Sequence, residues 1–191
     1  METDYIVEKV FENIDYAGKG LLKANYEACS FINCNISDTD LSNISFIECE
    51  FSGCNLSTAK LVKTGFKNVR FKECKLLGLH FDHCDSFLFE VNFENCILNL
   101  SSFYQRKMKK TGFKNCSLQE ADFAEADLSS SIFDHCDLSK TIFENTNLEK
   151  ADLCSSFNYS IDPERNNIKK AKFSFPAVTG LLHKYDIDIQ L

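Results

Sequence analysis

Residues 111–153 read TGFKN CSLQE ADFAE ADLSS SIFDH CDLSK TIFEN TNLEK ADL, and the third place of every five-residue unit is large and apolar. Phe113, Leu118, Phe123, Leu128, Phe133, Leu138, Phe143, Leu148 and Leu153 hold that place, and two residues before each stands a Thr, Cys, Ala or Ser. Side chains two apart on an extended segment point to one face, so each unit turns one large and one small residue inward and three outward. A period of five fits neither a helix at 3.6 nor a plain strand at 2.0, so the chain turns once per unit, and four turns make a coil of about 20 residues.

Outward from this stretch the pattern runs back through Phe103, Leu98 and Phe93, and upstream from Phe81 to Phe11 without a miss. Positions 20 apart form columns, one of them Phe11, Phe31, Phe51 and Phe71. Between Phe81 and Phe93 lie twelve places where ten would keep register, which predicts a bulge or small loop over 82–92, with Ser86 at a large position and Phe87 and Phe89 partly exposed. The pattern lapses again over 154–167, read as an irregular insertion, and returns at Ile168 and Phe173. Residues 1–10, with Lys9 at an inward place, read as a polar N-terminal cap. At the other end, 174–191 reads as a helix followed by a short strand. Ser174-Phe175-Pro176 starts the helix, Phe175, Val178, Leu181, Leu182 and Tyr185 share its apolar face, and Ile187, Ile189 and Leu191 alternate as a strand. Such an end must cover the last coil, and its spare apolar surface predicts a two-fold homodimer joined there.

The 191 residues suit one domain, with 44% hydrophobic residues for a core. No run of about 18 apolar residues suggests a membrane span, and the acidic start METDYIVEKV is unlike a signal peptide, so a cytoplasmic location is expected. Nine of the ten cysteines fall on the small inward place, Cys154 being the exception. Reduced, buried thiols acting as small apolar side chains account for them.

The units Ala121-Asp122-Phe123, Ala126-Asp127-Leu128 and Ala151-Asp152-Leu153 carry the signature A-[DN]-[LF]-x-x, and through them the chain resembles the pentapeptide-repeat family. That resemblance implies an all-β solenoid, a right-handed quadrilateral parallel β-helix. The ending IKKAKF, then a helix with LLHKYDI and a last strand, resembles the quinolone-resistance (Qnr-type) members. This resemblance implies a dimer and binding to the type II topoisomerases DNA gyrase and topoisomerase IV, related members being DNA mimics. Qnr-type proteins also carry protruding loops, whereas SSFYQRKMKKTGF at 101–113 keeps the repeat spacing with Met108 inward.

Residues 119–152 hold nine acids against Lys140 and Lys150, which accounts for the whole net charge of −7. Duplex DNA carries one charge per about 1.7 Å, so mimicry can only be local. Assigned to corners, Glu125, Asp127 and Glu144 fall together and Asp134 with Asp137 elsewhere; these five are the predicted partner-binding residues. Basic girdles at Arg106, Lys107, Lys109, Lys110 and Lys114 and at Lys60–Lys75 lack interleaved exposed aromatics and do not point to direct nucleic-acid binding. His80, His83, His135 and His183 are scattered, with no metal-spaced pair and no phosphate-cradling glycine loop, so no catalytic, metal or cofactor site is predicted. Two readings follow: a type II topoisomerase-binding protein working by local DNA mimicry, with quinolone protection, or a non-catalytic scaffold for another partner.

Overall fold

Two places after the large residue of almost every unit the backbone is left-handed, as at Asn33 (φ 49°), Asn43 (φ 60°), Gly53 (φ 64°), Asn115 (φ 51°) and Glu125 (φ 57°). Asn and Gly tolerate that region best, and repeating it every fifth residue turns the chain from one face of a rod to the next. The computed structural model describes residues 4–175 and 177–190. Residues 1–3 of the expected cap, Pro176 of the expected helix start and Leu191 of the expected strand lie outside the described residues.

Coils stack in parallel. On the first face, β1 (Tyr5–Val7), β3 (Asn25–Glu27), β5 (Ser45–Ile47) and β7 (Gly65–Lys67) form a four-stranded sheet. On the second face, β2 (Val10–Glu12), β4 (Ser30–Ile32), β6 (Glu50–Ser52), β8 (Val69–Lys72), β9 (Val91–Glu94), β10 (Gly112–Lys114) and β11 (Ile132–Asp134) form a seven-stranded one. The third and fourth faces pair through single residues, as in the line Asn35, Asn55, Lys75, Ile97, Ser117, Asp137 and Phe157. Their corners are tighter: the Ile44 N–H donates back to the Leu41 carbonyl at 3.1 Å and Ala59 to Leu56 at 3.1 Å, which leaves fewer residues extended.

The large residues fill the interior. The second-face phenylalanines stack at centroid separations of 4.8 Å (Phe11–Phe31), 4.6 Å (Phe31–Phe51), 5.1 Å (Phe51–Phe71), 5.5 Å (Phe71–Phe93), 5.2 Å (Phe93–Phe113) and 4.8 Å (Phe113–Phe133). Each such buried ring contributes about 1.5–3 kcal/mol by removal from water, with a further contribution from stacking.

The small inward place is more than small. Thr64, Ser101, Ser131 and Thr141 each donate a hydroxyl at 2.8 Å to the carbonyl of the large residue one coil back: Leu41, Leu76, Met108 and Leu118. Cysteines make the weaker equivalent, Cys49 Sγ lying 3.4 Å from the Tyr26 carbonyl and Cys74 Sγ 3.3 Å from that of Phe51. Burial pushes the Cys49 thiol up to about 12. All ten cysteines are unpaired thiols and only Cys154 is exposed. Because Lys75 pairs with Ile97, two residues beyond the usual step of 20, the two cysteine trios continue one column: Cys34, Cys54, Cys74, Cys96, Cys116, Cys136.

The register break takes the form of a 3-10 turn, Phe81–His83, followed by a short loop. Phe87 and Leu88 are exposed, while Phe89 packs half-buried against the core beside Phe81. The expected aromatic pair is thus split, one ring inward and one outward.

Three boundaries differ from the sequence reading. The strand ladder begins at Tyr5, inside the expected cap 1–10: β1 and β2 pair with β3 and β4, because the backbone ladder needs no apolar side chain at Lys9. The stretch 154–167 is an irregular coil of normal length and not an insertion, since Asn147 pairs with Asn167 and Asp152 with Lys172. Tyr159 and Ile161 are buried there in place of a residue at 158. Finally, 177–190 contains neither the expected helix as one element nor a strand. It forms two 3-10 turns, Val178–Leu181 and His183–Tyr185, and 186–190 are unpaired. Gly180 explains the interruption: a Cβ there would lie 2.3 Å from the Tyr159 carbonyl oxygen, so the chain presses backbone to backbone on the last coil, with the Ile161 N–H donating to the Gly180 carbonyl at 3.0 Å.

Candidate interaction surfaces

A rod filled with side chains presents its skin and its ends. The five acids predicted to bind a partner fall at two corners. Glu125 and Glu144 follow the large residues of the fourth face on successive coils, where the Glu125 N–H donates to the Glu144 carbonyl at 2.8 Å, and Asp127 opens the first face next to them. Asp134 ends β11 on the second face and Asp137 opens the third. In the order of faces these two corners are diagonal to one another, so the five acids form two groups rather than one stripe.

Most of them already have partners. Glu125 accepts from Tyr104 Oη at 3.2 Å and Gln105 Nε2 at 2.7 Å. Lys109 lies 3.4 Å from Asp127, and Arg165 pairs with Glu144. Burial acts to raise the Asp127 carboxyl, but the Ser129 donors and Lys109 outweigh it and hold it below the usual range. Ser155 and His135 lower Asp134. For Asp137, burial is likewise outweighed by Ser139, Gln119 and Asn158. All three therefore stay ionised at neutral pH, and Glu125 is the acid of the first group without a cationic neighbour among the described ion pairs.

The basic girdle is also engaged. Arg106 donates to the Asp82 carbonyl and places its guanidinium 5.5 Å from the Phe89 ring centre, and Lys114 binds Glu94 at 2.8 Å. Lys67 sits 5.2 Å over the exposed ring of Phe87, a cation–aromatic pair invisible in the sequence because the two belong to different coils.

At the C-terminal end the five predicted interface residues do not share one face. Leu181 packs inward on the core, Val178 is half-buried, and Phe175, Leu182 and Tyr185 are exposed, Phe175 at 82%. Exposed Ile187 and Ile189 join Leu182 along a groove with Thr179, His183 and Asp186. Lys184 fastens this end to the irregular coil, with its Nζ 2.7 Å from both Asp162 and Glu164.

One cluster escaped the sequence reading. His80, Asp82 and His83 come together on the 3-10 turn at the register break. The signal was the spacing of His80 and His83, three apart, which only a turn of this kind brings to one side. No described helix is long and apolar enough to cross a membrane.

No curated protein sequence matches the chain. Among solved structures, a trypsin-treated form of QnrB1, a plasmid-mediated fluoroquinolone resistance protein, is similar with a TM-score of 0.57 at 20% identity, over 98% of this chain and 100% of that one. Full-length QnrB1 gives 0.55 at 19% identity, over 96% of this chain and 100% of that one. At such identities the likeness is one of fold. The model of the pentapeptide repeat region matches residues 24–103 and 86–173. Those segments together take in well over half of the sequence, and the ladder of five-residue units they describe is the one that fills the rod: the chain belongs to the pentapeptide-repeat family.

Proposed function

We propose that this protein is a non-catalytic binding protein directed at a type II topoisomerase of the DNA gyrase class, which it engages through a local mimic of duplex DNA and thereby protects from quinolones. The observation that carries the reading is the concentration of the whole net charge in coils 119–152, next to a C-terminus whose sequence resembles the Qnr-type ending. The similarity in fold to QnrB1 along the full chain supports it. Glu125, Asp127 and Glu144 are the contact group, with Asp134 and Asp137 a second group on the diagonal corner. A second copy meets the first across Phe175, Leu182, Ile187 and Ile189, which brings two acidic segments into one assembly. The protein works in the cytoplasm, where its target is found.

A gyrase supercoiling assay with and without ciprofloxacin tests this. Inhibition or protection by the wild type, lost when Glu125, Asp127 and Glu144 are replaced by Lys, is the expected result. Absence of binding, inhibition and protection sinks the topoisomerase reading. Light scattering that finds a monomer at micromolar concentration removes the dimer.

The pairing of Asp127 with Lys109 and of Glu144 with Arg165 favours a second reading, a scaffold whose partner recognises mixed charge. Replacing Lys109 and Arg165 by Met separates it from mimicry: affinity falls if the partner reads mixed charge, and rises if it reads a DNA-like acidic surface.

A further inference from the structure

At most units the residue two places after the large one is left-handed. At Phe81 that residue is His83, and it lies instead within the 3-10 turn Phe81–His83. His83 donates its N–H to the His80 carbonyl at 3.2 Å and Asp82 donates to the Ser102 carbonyl at 3.2 Å, while Arg106 grips the Asp82 carbonyl. The turn is thus fixed by backbone contacts to the next coil, and three side chains with lone pairs emerge from it on one side.

Their separations have a definite meaning. His80 Nδ1 lies 3.3 Å from Asp82 Oδ1, and His83 Nε2 lies 3.4 Å from Asp82 Oδ2. In a tetrahedral site with metal bonds of about 2.0–2.1 Å, neighbouring donor atoms are about 3.3–3.4 Å apart; here each imidazole reaches that distance to a different oxygen of Asp82, so the rings must turn toward one oxygen to share an ion. One donor atom from each of the three residues lies within 4.8 Å of the other two. The imidazoles stack almost parallel, 13° apart with centroids 4.9 Å apart. Both are more than half exposed, so each can turn to aim its nitrogen at a common point, while the Asp82 side chain is 18% exposed and held in place.

We propose that His80, Asp82 and His83 bind a zinc-class divalent cation at the register break, as a two-histidine, one-carboxylate site with an open fourth position. Neutral imidazole suits zinc and nickel, the carboxylate supplies the neutralising charge, and magnesium or calcium would require more oxygen donors. Three ligands from one turn leave the remaining position to water or to a side chain of a partner. The site is independent of the topoisomerase reading. A later coil provides an internal control, since Asp134 and His135 form a pair at 2.7 Å with no second imidazole.

Calorimetric titration of the full chain with Zn2+, together with Co2+ absorption spectroscopy, tests the assignment. One saturable site per chain is expected, weakened by about tenfold or more in D82N and in the double variant H80A/H83A, and unchanged in H135A. The histidines are exposed, so the double variant should melt at the wild-type temperature. Equal Zn2+ affinity in wild type and H80A/H83A, no saturable binding by the wild type, or a thiolate charge-transfer band that disappears in C154S would each overturn it.

Discussion

The coils before and after the break at 82–92 solve the same packing problem with different columns. Before it, aromatic rings occupy two adjacent faces: Tyr26, Phe46 and Phe66 on the first meet Phe31, Phe51 and Phe71 on the second edge to face, with centroids 5.2–5.8 Å apart. After it, the rings stand on opposite faces, Phe103 and Phe123 of the fourth meeting Phe113 and Phe133 of the second at 5.8–6.2 Å, while Met108 and Leu128 take over the first face. Phe81 is the hinge of this exchange, touching Phe66, Phe71, Phe93 and Phe103. The second-face column passes straight through. Two aromatic and two aliphatic side chains therefore fill a coil in either arrangement, and the chain tolerates two surplus residues provided one column stays continuous.

The largest effect that could break this comparison is in that column. Phe71→Ala and Phe93→Ala should each lower unfolding free energy by about 3–5 kcal/mol, as much as Phe51→Ala. Urea denaturation measures it, and a markedly smaller loss at 71 and 93 would mean that the two stacks are separate units. Gly180→Ala comes next, at about 1–3 kcal/mol, because the added methyl meets the Tyr159 backbone. Thr64→Val should cost roughly 1 kcal/mol, reporting the hydroxyl bond to Leu41. At the low end, deleting Ser86 and Phe87 puts Leu88 five places after Phe81 and restores the step of 20. This variant should fold with a stability within about 1 kcal/mol of wild type, and failure to fold would show that the loop is needed for the exchange of columns.

The C-terminal end responds to pH. Hydrogen bonds from Lys184 lower Asp162 and Glu164 and raise Lys184. The depressed carboxylates contribute stability above their ordinary range and lose it as pH falls through their folded values. The raised lysine contributes below its ordinary value and is lost only as pH rises through its folded one. Protection factors over 178–185, taken relative to the intrinsic exchange rate at each pH, should therefore be high across neutral pH and fall below the carboxylate range, and Lys184→Met should remove that dependence.

The five-residue period made the core legible residue by residue, because a solenoid repeats one local rule and leaves little for distant contacts to decide. The columns from Tyr26 to Phe81 needed only counting. What counting missed arises where the rule is suspended. The sequence cannot tell that Phe89 rather than Ser86 turns inward, nor that Tyr159 is displaced by one place, since either choice preserves the total of residues. The five-residue pattern marks the small place by size alone, although Thr64 and Ser101 use their polarity there. Counting in fives puts the acids at their corners, but the pairing of Asp127 with Lys109 and of Glu144 with Arg165 depends on side chains one coil away. The His80–Asp82–His83 cluster was hidden for another reason: the repeat places those residues outward and apart, and only the 3-10 turn gathers them.

The most direct test of a continuous filled interior is the electron density of a crystal at the break. The account predicts Phe93 stacked on Phe71, with ring centres near 5.5 Å, Phe81 edge-on to both, and Phe87 in solvent. Phe71 facing water or a cleft, or a neighbour 20 residues on in place of Phe93, would contradict it.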